Sequence, residues 1–207
     1  MQKVLLINGS PNEFGCTYTA LREVADTLEN NGVETEILYL GKKPVAGCID
    51  CGHCNKEGRC VFNDKVNEVL DKLDTYGGIV IGSPVYFAGP AGQLCAFLDR
   101  LFSCSSFTKM KGKLGASVVS CRRGGASAAF DRLINYFGIS CMHVVGSQFW
   151  NQVLGFTPDD VRRDEEGMQT MRTLGQNMAY LLKAQEESGV EPPVYEKRVS
   201  THFSNIR

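Results

Sequence analysis

The chain predicts an α/β fold: a doubly wound, five-stranded parallel sheet with strand order 2-1-3-4-5, followed by a C-terminal helix and tail. Three observations in the 207 residues predict it. Short runs of Val, Leu and Ile without polar alternation recur along the chain, as strands covered on both faces do. Each run is followed by a stretch with helical apolar spacing. The junctions carry Gly, Ser, Asn and Pro, which end strands and open helices. Alternating strand and helix with short loops leaves a parallel sheet with right-handed crossovers.

Val4 to Ile7 is the first strand, ending in the glycine-bearing turn Gly9-Ser10-Pro11-Asn12-Glu13-Phe14-Gly15-Cys16-Thr17. From about Thr17 to Asn31, Leu21, Val24, Ala25 and Leu28 share one helical face, and Asn30-Asn31-Gly32 is the stop. Val33 to Leu40 is the second strand. A cysteine-rich loop covers residues 47–60, and Asn63 is placed to cap a helix to about Leu73. Gly78 to Gly82 is the third strand, a helix covers about Ala91 to Phe102, and Gly115 to Cys121 is the fourth strand. Gly124-Gly125 opens a helix to about Tyr136, and Cys141 to Val145 is the fifth strand. One long final helix starts near Thr157-Pro158-Asp159-Asp160, where Thr caps, Pro suits the first position and the acids favour the positive end. Met168, Met171, Leu174, Met178, Leu181 and Leu182 form its stripe, read as core packing.

This length suits one unit, residues 1–187 with the cysteine loop inserted; the polar extension 188–207 is expected to be either disordered or an arm laid on another subunit. With 22 Lys and Arg against 23 Asp and Glu, no basic field exists for phosphate backbones, which argues against nucleic acid. No apolar run reaches membrane-spanning length, and no signal peptide is visible. Nine cysteines suit a reducing interior, so a cytoplasmic location is expected.

In an open α/β sheet the loops after the first, third and fourth strands converge where ligands bind. The first has backbone N–H groups at a helix N-terminus, with Ser10, Asn12, Thr17 and Thr19 as side-chain donors. It is not a P-loop: five residues separate Gly9 from Gly15, and Cys16 stands where the phosphate-binding lysine would be. Nor is it G-x-G-x-x-G. A hydroxyl-rich loop without a cation suits a monophosphate such as that of FMN; the plain alternative is an ordinary turn. In the second loop, Pro84-Val85-Tyr86-Phe87-Ala88-Gly89 supplies two aromatic rings and backbone amides for a flat ring system. In the third, Ser120-Cys121-Arg122-Arg123-Gly124-Gly125 supplies two cations, suited to a reduced anionic ring or a nicotinamide cofactor's phosphates, or simply solvated. Trp150 and Asn151, just after the fifth strand, are placed to close one side; the alternative for a lone Trp is packing at a subunit interface.

Gly9-Ser10-Pro11 with Gly15-x-Thr17, Ser83-Pro84-Val85-Tyr86, Gly92-Gln93-Leu94 and Phe97-Leu98-Asp99-Arg100 resemble the NADPH-dependent FMN reductase group of flavodoxin-like proteins. With four cysteines added, the chain is similar to the iron–sulfur flavoproteins. The stretch from Gly155 to Met178 also resembles many reductases of this type. The resemblance implies FMN held by Ser10, Asn12, Thr17, Tyr18 and Thr19 at the phosphate, and by Pro84, Val85, Tyr86 and Phe87 at the ring. From their places in the three loops, Cys16, Gly89, Cys121, Arg122 and Gly124 are further candidate contacts. Two departures bear on the donor and acceptor: Cys95 stands where much of the group has lysine, and Cys121-Arg122-Arg123 replaces a more Gly-rich loop.

Cys48, Cys51, Cys54 and Cys60 make a C-x2-C-x2-C-x5-C run. Close thiolates of this kind can enclose a [4Fe–4S] cluster. Zinc also takes four thiolates, but usually from two separated knuckles, and free redox thiols with no metal are the third reading. His53 lies inside the run and is read as a surface residue. Cys16, Cys95, Cys104, Cys121 and Cys141 are read as mostly buried apolar residues.

The expected function is an FMN-dependent oxidoreductase of the NAD(P)H:FMN or quinone reductase type, with NAD(P)H as transient donor and a small-molecule redox substrate. With a cluster, it would exchange electrons with a ferredoxin-type carrier. A homodimer or homotetramer is expected. The alternative is a non-catalytic flavodoxin-like electron carrier or flavin-binding regulatory protein.

Overall fold

The computed structural model describes residues 3–105, 108–196 and 199. Its elements are β1 (Lys3–Asn8), α1 (Cys16–Asn30), β2 (Thr35–Tyr39), α2 (His53–Glu57), α3 (Lys65–Lys72), β3 (Tyr76–Tyr86) and β4 (Gly89–Pro90). They continue with α4 (Gly92–Cys104), β5 (Leu114–Cys121), α5 (Ala126–Ile139), β6 (His143–Val144), β7 (Gln152–Leu154), α6 (Pro158–Arg163) and α7 (Glu165–Glu187). Of the C-terminal extension, residues 197–198 and 200–207 lie outside the described residues.

The sheet has seven strands in the order β2-β1-β3-β5-β6, with β4 paired to β3 and β7 to β5. This corrects the expected five. The spatial sequence of the first four long strands is the expected one, but a two-residue strand, Gly89–Pro90, folds back antiparallel on the end of β3. The last strand is divided: His143–Val144 pairs with the start of β5 at Leu114 and Gly115, and Gln152–Leu154 pairs with its end at Val119 to Cys121. Cys141 cannot join a ladder because its φ is 55°, in the turn that closes α5.

Side chains alternate across the strands, so each face builds its own core. Leu5, Ile7, Ile79 and Ile81 pack with Leu94, Phe97, Leu101 and Phe137 on one side. Val4, Leu6, Val80, Ala116 and Val118 pack with Leu21, Val24, Met171, Leu174 and Met178 on the other. The methionines at 171 and 178 are core, as expected.

Local corrections have local causes. The cap of α3 is Asp64, whose carboxylate accepts from the Val66 amide, not Asn63. A five-residue helix, α2, interrupts the cysteine loop between two glycines, Gly52 and Gly58, at φ 68° and 65°. The single final helix is two helices. Thr157 and Asp160 form a reciprocal capping box that starts α6, and Asp164 then takes ψ 82° and caps α7 through the Gly167 amide. No helix among the described residues is long and apolar enough to cross a membrane.

Candidate functional site

Because β1, β3 and β5 are parallel and paired to their ends, Asn8 lies beside Gly82, and Pro84 beside Ser120. The three following loops therefore leave the sheet along one edge.

The first loop is held from within. The buried Asn8 side chain donates to the Glu13 carbonyl at 2.9 Å and accepts from the Ser10 amide at 3.1 Å. Ser10 Oγ accepts from the Asn12 amide at 3.1 Å, and the Tyr39 hydroxyl donates to the Pro11 carbonyl at 2.8 Å. Gly9 is required by close packing, since a Cβ there would lie 2.6 Å from a Leu94 methyl. α1 then starts at Gly15 with no side-chain cap and no acid in its first turn. Its first-turn amides and positive dipole end are thus available to an anion.

The predicted residues of this loop take different roles. Ser10 and Asn12 line the turn. Thr17 is buried and its hydroxyl meets Ser120 Oγ at 2.8 Å. Thr19 is buried and donates to the Gly15 carbonyl at 3.2 Å, so its hydroxyl is engaged in the helix. Tyr18 is half-buried, edge-on to Phe14. The Cys16 thiol donates to the Gly155 carbonyl at 3.9 Å, and burial raises its pKa.

In the second loop Pro84 and Val85 are half-buried at the end of β3 and Tyr86 is exposed. Phe87 and Ala88 form the hairpin turn to Gly89 with φ of 49° and 59°, the double left-handed geometry of tight hairpins. Neither residue is glycine, so each costs about 1–3 kcal/mol of backbone strain. Phe87 is left wholly exposed. Gly125, at φ 86°, backs this turn: a Cβ on it would lie 2.9 Å from Ala88 Cα. The Ala91 amide donates to Ser83 Oγ at 2.9 Å and fixes the base.

In the third loop Cys121 is buried, its thiol pKa raised by that burial, and its carbonyl accepts from the Gly155 amide at 3.0 Å. Arg122, Arg123 and Gly124 are exposed, and the Arg122 guanidinium stands 5.2 Å from the Phe156 ring centroid. The Gly155–Pro158 segment is thus a fourth wall that sequence reasoning did not place at the site. Its Phe156 and Pro158 line an open cleft of about 430 Å³ with Asn12, Phe14, Gly15, Cys16, Tyr39 and Lys42. Trp150 is half-exposed against Phe149, while Asn151 is buried with its Oδ1 unpartnered.

A second cavity, of about 240 Å³, gathers the cysteine run: Cys48, Cys51, Cys54 and Cys60 all line it. Cys48 and Cys51 are exposed, Cys54 and Cys60 are half-buried, and His53 is exposed. The thiols are free rather than bridged. Among the described residues no group of three or more His, Cys, Asp or Glu stands as the ligand set of a single ion. Two residues that sequence reasoning had not assigned here come from α4. Arg100 Nε donates to Cys60 Sγ at 3.1 Å, and Cys104 lines the cavity as a fifth thiol. Burial, then the neighbouring Cys54 and Cys60, hold the Cys104 pKa well above the usual thiol range. The expectation of buried apolar cysteines holds for Cys104 and Cys121. It is corrected for Cys141, which is exposed, and for Cys16 and Cys95, which are half-buried.

The NADPH-dependent FMN reductase family matches residues 2–153. An iron–sulfur flavoprotein of Methanocaldococcus jannaschii is 35% identical over 188 residues, covering 87% of this chain and 97% of the relative. Another, from Methanosarcina thermophila, is 29% identical over 185 residues, covering 87% and 95%. Among solved structures, RosB with bound 8-demethyl-8-formylriboflavin-5'-phosphate superposes with a TM-score of 0.71 at 14% identity, covering 100% of this chain and 94% of that one. The flavodoxin-like fold, the loops at one sheet edge and these similarities agree: the chain belongs to the NADPH-dependent FMN reductase family of flavin-dependent oxidoreductases and is related to the iron–sulfur flavoproteins.

Proposed function

We propose that the three-loop edge holds FMN and the cysteine cavity holds a [4Fe–4S] cluster, in an oxidoreductase that exchanges electrons between a small carrier and an acceptor. The observation that carries the flavin assignment is the uncapped N-terminus of α1 beside an exposed aromatic turn, on one sheet edge. The first-turn amides of α1 with Ser10, Asn12 and Thr17 would hold the phosphate. Pro84, Val85, Tyr86, Phe87 and Gly89 on one side, and Cys121, Arg122 and Gly124 on the other, would bracket the ring. The donor set suits a cluster: four thiols line one cavity, in a single compact run rather than the two separated knuckles usual for zinc. When bound, FMN supplies one- and two-electron chemistry and the cluster supplies single-electron transfer.

Tyr86 and Phe87 are exposed and leave their side of the edge open, so donor and acceptor can visit in turn. Arg122, exposed beside the Phe156 ring, brings a positive charge to the rim of the site, which favours both an anionic reduced ring and a nicotinamide phosphate. NAD(P)H is the transient donor in this reading, and a ferredoxin-type protein the carrier. Free thiols suit a reducing cytoplasm. Exposed Phe149, Trp150 and Tyr180 favour a homodimer or homotetramer.

Steady-state assays of FMN-loaded, anaerobically prepared protein test the function. Oxidation of NADH or NADPH with a quinone or free flavin acceptor, or turnover coupled to reduced ferredoxin, is the expected result. Reduction that stops after one equivalent with every donor would make the protein a non-catalytic carrier.

A further inference from the structure

We propose that Arg100 is a positioning residue for the fourth cysteine, presenting Cys60 Sγ as a hydrogen-bonded ligand and clamping both ends of the cysteine loop; this rests on the cluster reading above. Arg100 lies on the buried face of α4 with Phe97, Leu101 and Cys104, and is 1% exposed. A guanidinium so deep must spend every donor. Arg100 does. Nη1 donates to Asp64 Oδ2 at 2.8 Å and to the Ala46 carbonyl at 3.3 Å. Nη2 donates to Asp64 Oδ1 at 2.8 Å and to the Phe62 carbonyl at 3.4 Å. Nε, the one donor left, points at Cys60 Sγ. Ala46 precedes Cys48 and Phe62 follows Cys60, so one side chain grips the loop where it starts and where it ends.

A second buried side chain holds the same cysteine by its backbone. Asn67 accepts from the Cys60 amide at 2.9 Å and donates to the Cys60 and Phe62 carbonyls at 3.0 and 3.1 Å. Cys60 is therefore fixed at its amide, carbonyl and sulfur. Cys48 and Cys51 are exposed, and neither has a side-chain hydrogen bond of this kind among the described residues. Cys60 is thus prepositioned, with Cys54 half-buried and packed on the same core. An N–H···S bond to a ligating thiolate withdraws charge and favours the reduced, more negative cluster. Lysine cannot reproduce it, since a point ammonium lacks the planar fork that reaches Asp64 and Cys60 together.

The test compares unaltered protein with Arg100→Lys, both reconstituted anaerobically. Iron and sulfide are measured first: if the unaltered protein retains none, the cluster reading fails and this inference with it. With the cluster present, the variant is expected to show a more negative cluster midpoint, by about tenfold in the one-electron equilibrium or about 59 mV. An unchanged midpoint would overturn the role of Arg100 while leaving the cluster assignment standing. If the variant does not load, the unaltered protein decides the matter. With arginine labelled by 15N in the guanidinium, pulsed electron paramagnetic resonance of the reduced cluster should show a 15N coupling, and its absence would overturn the proposal.

Discussion

Thr17 Oγ1 and Ser120 Oγ meet at 2.8 Å, joining the first turn of α1 to the end of β5 across 103 residues of chain. Both residues are buried, and the bond ties the loop proposed for the phosphate to the loop proposed for the ring. A neutral hydrogen bond of this kind contributes about 1 kcal/mol, and an orphaned buried partner costs about 1–3 kcal/mol. Thr17→Val, which keeps the shape, is expected to lower stability by about 1–2 kcal/mol and to weaken FMN binding several-fold. Denaturant unfolding and FMN fluorescence titration measure the two effects separately.

Phe87 separates binding from stability. Its side chain is fully exposed on a strained turn, so nothing in the fold depends on the ring. Phe87→Ala is expected to leave the melting temperature of the flavin-free protein unchanged and to weaken FMN by the roughly 0.5–1.5 kcal/mol of an aromatic stack. Equal FMN affinity would remove Phe87 from the ring site.

Gly125 carries the opposite signature. Its φ of 86° and the 2.9 Å approach of a Cβ to Ala88 Cα leave no room for a side chain. Gly125→Ala should destabilise by about 1–3 kcal/mol and displace the Phe87–Ala88 turn, seen as a lower melting temperature together with poorer FMN affinity.

Near the other end of the sheet, pH acts through Glu36 and Tyr76. Burial works to raise the Glu36 carboxyl, but the Tyr76 hydroxyl at 3.0 Å and the Lys72 and Lys3 ammoniums outweigh it and hold it below its ordinary value. A depressed carboxyl contributes stability that is present above its unfolded value and lost as pH falls through the folded one. Glu36→Gln should therefore melt below the unaltered protein at neutral pH. The two melting curves should converge as pH drops below 4.5.

The cysteines make a direct set. Serine at Cys48, Cys51, Cys54 or Cys60 should each cut retained iron several-fold. Serine at Cys104, which burial keeps as a thiol at the cavity wall, should leave it in place. Colorimetric iron assays after anaerobic reconstitution distinguish the two groups.

The main strands were legible because Val4–Ile7 and Ile79–Ile81 are continuous apolar runs and Gly115–Cys121 holds only small or apolar residues, and a run covered on both faces leaves little other choice. The divided edge was not. Gln152–Leu154 is three residues long and its partner strand is set by tertiary pairing, while Cys141 adopts a positive φ that a cysteine does not advertise. The break between α6 and α7 did leave a trace: Asp164-Glu165-Glu166-Gly167 follows Arg162-Arg163 and reads as one helix ending and another being capped. The three loops of the candidate site could be named from their glycines and aromatics. The Gly155–Phe156 wall could not, since only folding brings it onto Cys16 and Cys121. Arg100 and Cys104 lay hidden for the same reason, 40 or more residues beyond the cysteine run. Their signal was an arginine on the apolar face shared by Phe97, Leu101 and Cys104, where a buried charge demands a partner.

The most direct test of the account is the cofactor stoichiometry of protein purified and reconstituted without oxygen. About one FMN, with about four iron and four sulfide, is expected per chain. A chain that takes up zinc in place of iron and sulfide, or that does not bind FMN, would contradict it.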